Sequence, residues 1–231
     1  MTKTAILLFS RAAKEEADKK KYARLFGKKS GIALAAELIR HTQQEASISN
    51  IPVVTFFSDQ QKGQSFGDRL TNAIEETFAL GYDNIIISGT DSPSVNSAQF
   101  INISRKLQRS ALVLGPSNDG GVYIIGFQKS AYCRNGILKI PWLTNEVFKG
   151  LKDYAFKSNL SVSIETPGDD MDNLASLAEW QNKYSFHWLS LTIRRLFEQY
   201  RSLKFSFFQT AFLDNTSSHT SSLRGPPQFQ L

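Results

Sequence analysis

Short apolar runs alternate with amphipathic stretches along residues 4–183, and this alternation constrains the fold more than any other feature. Thr4–Phe9 (TAILLF), Ile51–Phe57 (IPVVTFF), Asn84–Ser88 (NIIIS), Ala111–Gly115 (ALVLG) and Val122–Phe127 (VYIIGF) have the length and composition of buried strands. Between them, Ile32–Gln44 places Ala35, Leu38, Ile39 and Thr42 on one helical face. Phe66–Leu80 repeats that spacing with Phe66, Leu70, Ala73, Ile74, Thr77 and Phe78, and Gly81 stands where a left-handed cap ends a helix. Ser97–Arg109, Asn145–Lys157 and Leu174–Lys183 read as further helices, with a strand at Leu160–Ile164. Strands separated by helices of about 10–15 residues predict an α/β domain with a mainly parallel sheet.

The pattern closes near Lys183, so residues 1–183 are expected to form one domain. Residues 184–213 carry one more apolar stripe (Phe186, Leu189, Ile193, Leu196, Phe197, Tyr200, Leu203) and an aromatic segment. That stripe would dock on its own sheet or on a second copy of the chain, which makes a homodimer a candidate assembly; docking on a membrane surface is the weaker alternative. Residues 214–231 are rich in Ser, Thr, Pro and Gln and read as a flexible tail.

The net charge of +6 is local. Residues 1–30 hold nine basic and three acidic side chains, which accounts for all of it. A protein that coats nucleic acid carries a wider basic surface, so the cluster predicts one anionic site and no nucleic-acid partner. The single cysteine, Cys133, excludes an internal disulfide framework, and three scattered histidines argue against a histidine metal site. No apolar run reaches the ~18 residues of a membrane span, and the N-terminus lacks the features of a secretory signal, so no stable membrane insertion and a cytoplasmic location are expected.

In a parallel α/β sheet, ligands bind beyond the carboxyl ends of the strands. Asp91 follows the third strand in Gly89-Thr90-Asp91-Ser92-Pro93. A carboxylate there suits Mg²⁺ or Mn²⁺, which prefer oxygen ligands; the alternative is a turn or helix-cap Asp. Asp119, Gly120 and Gly121 form a second candidate, able to approach a ligand or, alternatively, to make a tight strand-to-strand turn. Asp170 and Asp172 form a third: a cation pair, a helix cap, or both. Arg11, Lys19, Lys20, Lys21 and Arg24 follow the first strand, in a segment that reads as a long basic loop for a di- or triphosphate, with Arg11, Lys20 and Arg24 as the leading phosphate partners. The alternative is a solvated helix with Glu15–Lys19 and Glu16–Lys20 pairs. The segment is neither a P-loop nor a dinucleotide fingerprint.

The motifs, taken in order, resemble a bacterial domain-of-unknown-function family of glycosyltransferase-A-like proteins, relatives of the phospholactate guanylyltransferases. The resemblance rests on Phe66-Gly67-Asp68-Arg69-Leu70, Gly89-Thr90-Asp91-Ser92-Pro93, Gly115-Pro116 with Asp119-Gly120-Gly121, Ile140-Pro141-Trp142-Leu143-Thr144 and Asp170-Met171-Asp172-Asn173. It implies a three-layer nucleotide-diphosphosugar transferase fold over residues 4–180, with a mixed, mostly parallel sheet flanked by helices, and a nucleotide or nucleotide-sugar ligand held with a divalent cation. By motif match, Asp91 resembles the family's metal-binding Asp, and Asp170 and Asp172 resemble the Asp-x-Asp of guanylyltransferase relatives. Gly89, Thr90, Gly120 and Gly121 would line the nucleotide site, with Asp119 beside the reacting groups. Many members carry Gly-Lys-x-Lys-Thr-Arg-Leu after the first strand. Here Arg24-Leu25 is kept, the glycine and threonine are not, and the segment is longer, which leaves lysine side chains as the phosphate partners. The expected function is an Mg²⁺-dependent nucleotidyl- or glycosyltransferase with a small-molecule acceptor not defined by sequence. The alternative is a catalytically silent nucleotide-binding module of the same fold.

Overall fold

Thr4–Phe9 forms strand β1 in the computed structural model, with five of its six residues buried. The structure describes residues 2–22, 24, 27–168, 191, 192, 194, 195 and 198. The expected helix at Leu174–Lys183 and tail at 214–231 lie outside the described residues, as does most of segment 184–213.

Alternate residues of β1 serve two cores. Leu7 and Phe9 pack on one face of the sheet with helix α3 (Phe66–Ala79), while Ile6 and Leu8 pack on the other with α2 (Lys28–Ile48) and α4 (Ser97–Lys106). This is the period-two burial of a strand covered on both sides. The first core also takes in α5 (Arg134–Leu138) and α6 (Val147–Lys157), giving three layers: helices, sheet, helices.

The sheet contains β1, β2 (Val53–Phe56), β3 (Asn84–Ser88), β4 (Leu112–Pro116), β5 (Val122–Gln128) and β6 (Val162–Ile164) in the order β2-β1-β3-β5-β4-β6. Strands β1, β2 and β3 are mutually parallel, and so are β4 and β6; β5 runs antiparallel between β3 and β4. The chain leaves β1 toward β2 and returns across it to β3. The carboxyl ends of β1 and β3 are therefore neighbours whose loops diverge, the position where such sheets open a crevice.

Helix boundaries follow local chemistry. Helix α3 begins with a reciprocal capping box: the Asp68 amide donates to the Ser65 hydroxyl, and the Ser65 amide and hydroxyl donate to the Asp68 carboxylate. Those bonds hold the Asp68 carboxyl below the ordinary range. Gly81 has φ +90° just past its end.

One expectation needs correcting. The basic segment after β1 is largely helix, with α1 spanning Ala13–Lys19 and burying Glu16 and Ala17. Helix α1 packs against α2, and this contact organises a segment whose apolar content is too low to show helical periodicity.

Among the described residues, no helix is long and apolar enough to cross a membrane. Phe100 of α4 is fully buried beneath the sheet. Phe100→Ala is expected to lower the unfolding free energy by about 3–5 kcal/mol, read from urea denaturation followed by circular dichroism.

Candidate functional site

Ser10 follows β1 and Thr90 follows β3, and their buried hydroxyls are 2.7 Å apart. The Gln61 side-chain amide donates to the carbonyls of Ser10 (2.8 Å) and Phe56 (3.0 Å), and Ala12 N donates to the Ser58 hydroxyl at 3.1 Å. These bonds tie together the strand ends that form the floor of a cavity of about 840 Å³.

One side of the cavity is charged. Lys20, the C-cap of α1, directs its Nζ to Asp91 Oδ2 at 3.0 Å. The Lys20 side chain is 12% exposed and that of Asp91 36%, so the ammonium is shielded while the carboxylate faces the cavity. Gly89 makes room for the carboxylate: a Cβ there would stand 2.8 Å from Asp91 Oδ1. Arg11 also lines the cavity, but its guanidinium donates to Glu16 Oε2 at 3.1 Å. Beneath these groups Tyr22 is fully buried; burial first, then the charges of Asp91 and Glu16, push its phenol far up, so it stays neutral.

Asp119 lies on the cavity wall in the turn joining β4 to β5. The turn alternative for Asp119-Gly120-Gly121 therefore holds, and the turn also faces the cavity. Asp119 Oδ1 accepts from the Ser117 hydroxyl at 2.6 Å and the Gly121 amide at 2.9 Å. Burial raises the Asp119 carboxyl, but these bonds and the nearby Lys20 charge outweigh it and hold the group below the ordinary range. Gly120 adopts φ +88°, and a Cβ there would run into the Asn145 carbonyl oxygen.

The opposite wall is aromatic. Phe9 and Phe66 meet edge-to-face with centroids 5.7 Å apart, and Trp142 packs on Phe66 at 5.5 Å. Trp142 Nε1 donates to the Ile137 carbonyl at 2.9 Å, which fixes the ring. The next residue, Leu143, sits at the rim with φ 65° and is exposed.

The structure thus brings together Arg11, Lys20, Gly89, Thr90, Asp91, Asp119 and Gly121, with Gly120 just behind. It does not bring Arg24 to them. Lys21 turns the chain through φ 59°, and Arg24 is exposed away from the cavity. Asp170 and Asp172 lie outside the described residues; the last residue before them that is described, Gly168, pairs with Ser117 at the same sheet edge. Lys19, named with the basic segment, also lines the cavity, whereas the reading of individual residues missed Arg69 and Trp142. Both sit in motifs quoted above, and that membership was the available signal.

A magnesium or manganese ion that takes most of its ligands from substrate phosphates needs one or two protein carboxylates. Asp91 supplies such oxygens at the carboxyl end of β3, so the donor chemistry fits. Among the described residues no group of three or more His, Cys, Asp or Glu is arranged as an all-protein cage.

Residues 19–144, more than half of the chain, match the family model described as "Uncharacterized protein conserved in bacteria (DUF2064)". No curated protein matches the chain. Among solved structures, a candidate nucleotide-diphospho-sugar transferase from Desulfovibrio desulfuricans superposes with a TM-score of 0.77, at 19% identity, over 87% of this chain and 98% of its own. That likeness shows the fold, a three-layer α/β architecture shared with that protein. Lower scores relate the chain to 4-diphosphocytidyl-2C-methyl-D-erythritol synthase from Anaerococcus prevotii (TM-score 0.46, 8% identity, 80% of this chain, 99% of that one). Rv0371c from Mycobacterium tuberculosis scores 0.41 at 14% identity, over 78% of this chain and 98% of that one.

Because the Asp119 carboxyl is held low in the folded state, its contribution to stability is present above the ordinary carboxylate range. That contribution is lost as pH falls through the lowered value. Urea midpoints measured from about pH 5 down to about pH 2 should therefore fall more steeply for the wild type than for Asp119→Asn.

Proposed function

The chain belongs to the bacterial family DUF2064, and from that membership and the charged end of the cavity we propose that it is a divalent-cation-dependent transferase. Its donor is a nucleoside triphosphate or a nucleotide-sugar, and its acceptor is a small molecule. The observation that carries the reading is the meeting of Asp91, Lys20 and Asp119 at the carboxyl ends of β1, β3 and β4, inside a cavity large enough for a nucleotide.

Asp91 would hold the cation, with Asp170 or Asp172 as the second carboxylate by motif match. When bound, Mg²⁺ or Mn²⁺ supplies charge neutralisation at the diphosphate. Lys20, Lys19 and Arg69, which all line the cavity, hold phosphate oxygens. Asp119, with its carboxyl held low, is a poor proton acceptor at neutral pH and a good hydrogen-bond acceptor. Its role is to orient a sugar or acceptor hydroxyl through Oδ2, since Ser117 and Gly121 both bond Oδ1. The Phe9–Phe66–Trp142 wall excludes water and bounds the apolar part of the ligand. Catalysis in such a site is chiefly positioning and electrostatics.

One observation favours the alternative of a silent binding module. Arg11 and Lys20 are both already paired, with Glu16 and Asp91. Turnover separates the readings: release of pyrophosphate or of a nucleoside diphosphate in the presence of a small-molecule extract supports the transferase, and binding without release supports the module.

Calorimetry with a panel of nucleoside triphosphates and nucleotide-sugars, with and without Mg²⁺, tests the site. At least one ligand should bind the wild type in a Mg²⁺-dependent way. Asp91→Asn should weaken that binding by more than about tenfold and remove its dependence on Mg²⁺. Equal affinity and equal metal dependence in the two proteins would refute the assignment.

A further inference from the structure

The cavity carries its own cation. Lys20 Nζ bonds Asp91 Oδ2 at 3.0 Å, and the same ammonium lies close enough to Asp119 to help hold that carboxyl low. The backbone of Lys20 is fixed: it caps α1, its amide donates to Glu16 O at 2.9 Å, and α1 rests on α2. The head group rides on a flexible four-carbon stem and can turn without moving the helix. Arg11 is a poor substitute, because its guanidinium is held by Glu16.

Building on the transferase reading, we propose that Lys20 is the internal counter-ion of Asp91 and competes with the divalent cation for that carboxylate. Without ligand, the ammonium compensates a carboxylate that would otherwise face a partly dry cavity alone. A divalent ion on Asp91 is repelled by an ammonium bonded to the same group. A phosphate oxygen relieves this repulsion by accepting the Lys20 hydrogen bond in place of Asp91. Metal and phosphate therefore strengthen each other's binding, and by linkage the effect is reciprocal. Metal alone binds weakly, so the site is not occupied by cation before its anionic substrate arrives.

The test uses the full chain and two separate probes: Mn²⁺ alone, followed by loss of its free paramagnetic resonance signal, and metal-free pyrophosphate, followed by calorimetry. Lys20→Met keeps much of the stem's packing and removes the charge; Lys20→Gln is a second neutral variant. Each should bind Mn²⁺ about tenfold more tightly than the wild type and pyrophosphate about tenfold more weakly. Lys20→Arg, which keeps the charge, should stay near the wild type toward Mn²⁺. A merely structural role for Lys20 cannot produce opposite shifts, because damage to the site weakens both ligands. Unchanged or weaker Mn²⁺ binding in the neutral variants overturns the proposal. If the wild type still shows Mg²⁺-dependent nucleotide binding in that case, the transferase reading stands and only the counter-ion role falls.

Discussion

The parallel pairing of β1 with β3 is the constraint on which the rest of the site depends. Leu8 stands opposite Ser88 in that register, so the segments that leave the two strands begin side by side. The buried Ser10–Thr90 hydrogen bond then locks them together two residues further on. From this one junction, α1 carries Lys20 back over the sheet edge to Asp91. The antiparallel insertion of β5 between β3 and β4 adds the third component, because the β4–β5 turn places Asp119 at the same edge. Three segments far apart in the chain thus converge through strand order rather than through local sequence.

The electrostatics of this edge are more balanced than the net charge implies. The basic cluster of the first 30 residues presents a mixed face to the cavity. Arg11 is neutralised by Glu16 and Lys20 by Asp91, Lys19 lines the cavity, and Arg24 is exposed elsewhere. In the proposal, the paired cations exchange partners when an anion binds. Pairs of this kind avoid the cost of holding like charges together in the empty site.

The strands were legible because runs such as Thr4–Phe9 and Asn84–Ser88 are apolar on both faces, as a doubly covered sheet requires. Helix α3 was equally plain, since its buried residues recur at helical spacing up to a terminal glycine. Helix α1 was harder: Ala13–Lys19 has almost no apolar stripe, and its order comes from packing on α2. The place of Asp91 at a strand end, where it lines the cavity, could be read from the sequence. Its partner could not, because Lys20 is 71 residues away and only the fold brings the two together. The same holds for the cavity's aromatic wall, where Phe9, Phe66 and Trp142 come from three separate segments. Asp119 was readable as a turn residue, and its hydrogen bonds to Ser117 and Gly121 hold that turn while the residue still lines the cavity.

The central claim is that the edge built by β1 and β3 is a cation-and-phosphate site in which Asp91 exchanges Lys20 for a metal. Anomalous diffraction at the manganese edge, on crystals grown with Mn²⁺ and a nucleotide identified by calorimetry, tests it most directly. The account predicts a manganese peak against the Asp91 carboxylate, with Lys20 Nζ moved from Asp91 to a phosphate oxygen. A nucleotide bound in the cavity with Lys20 still on Asp91, or a manganese peak away from Asp91, would contradict it.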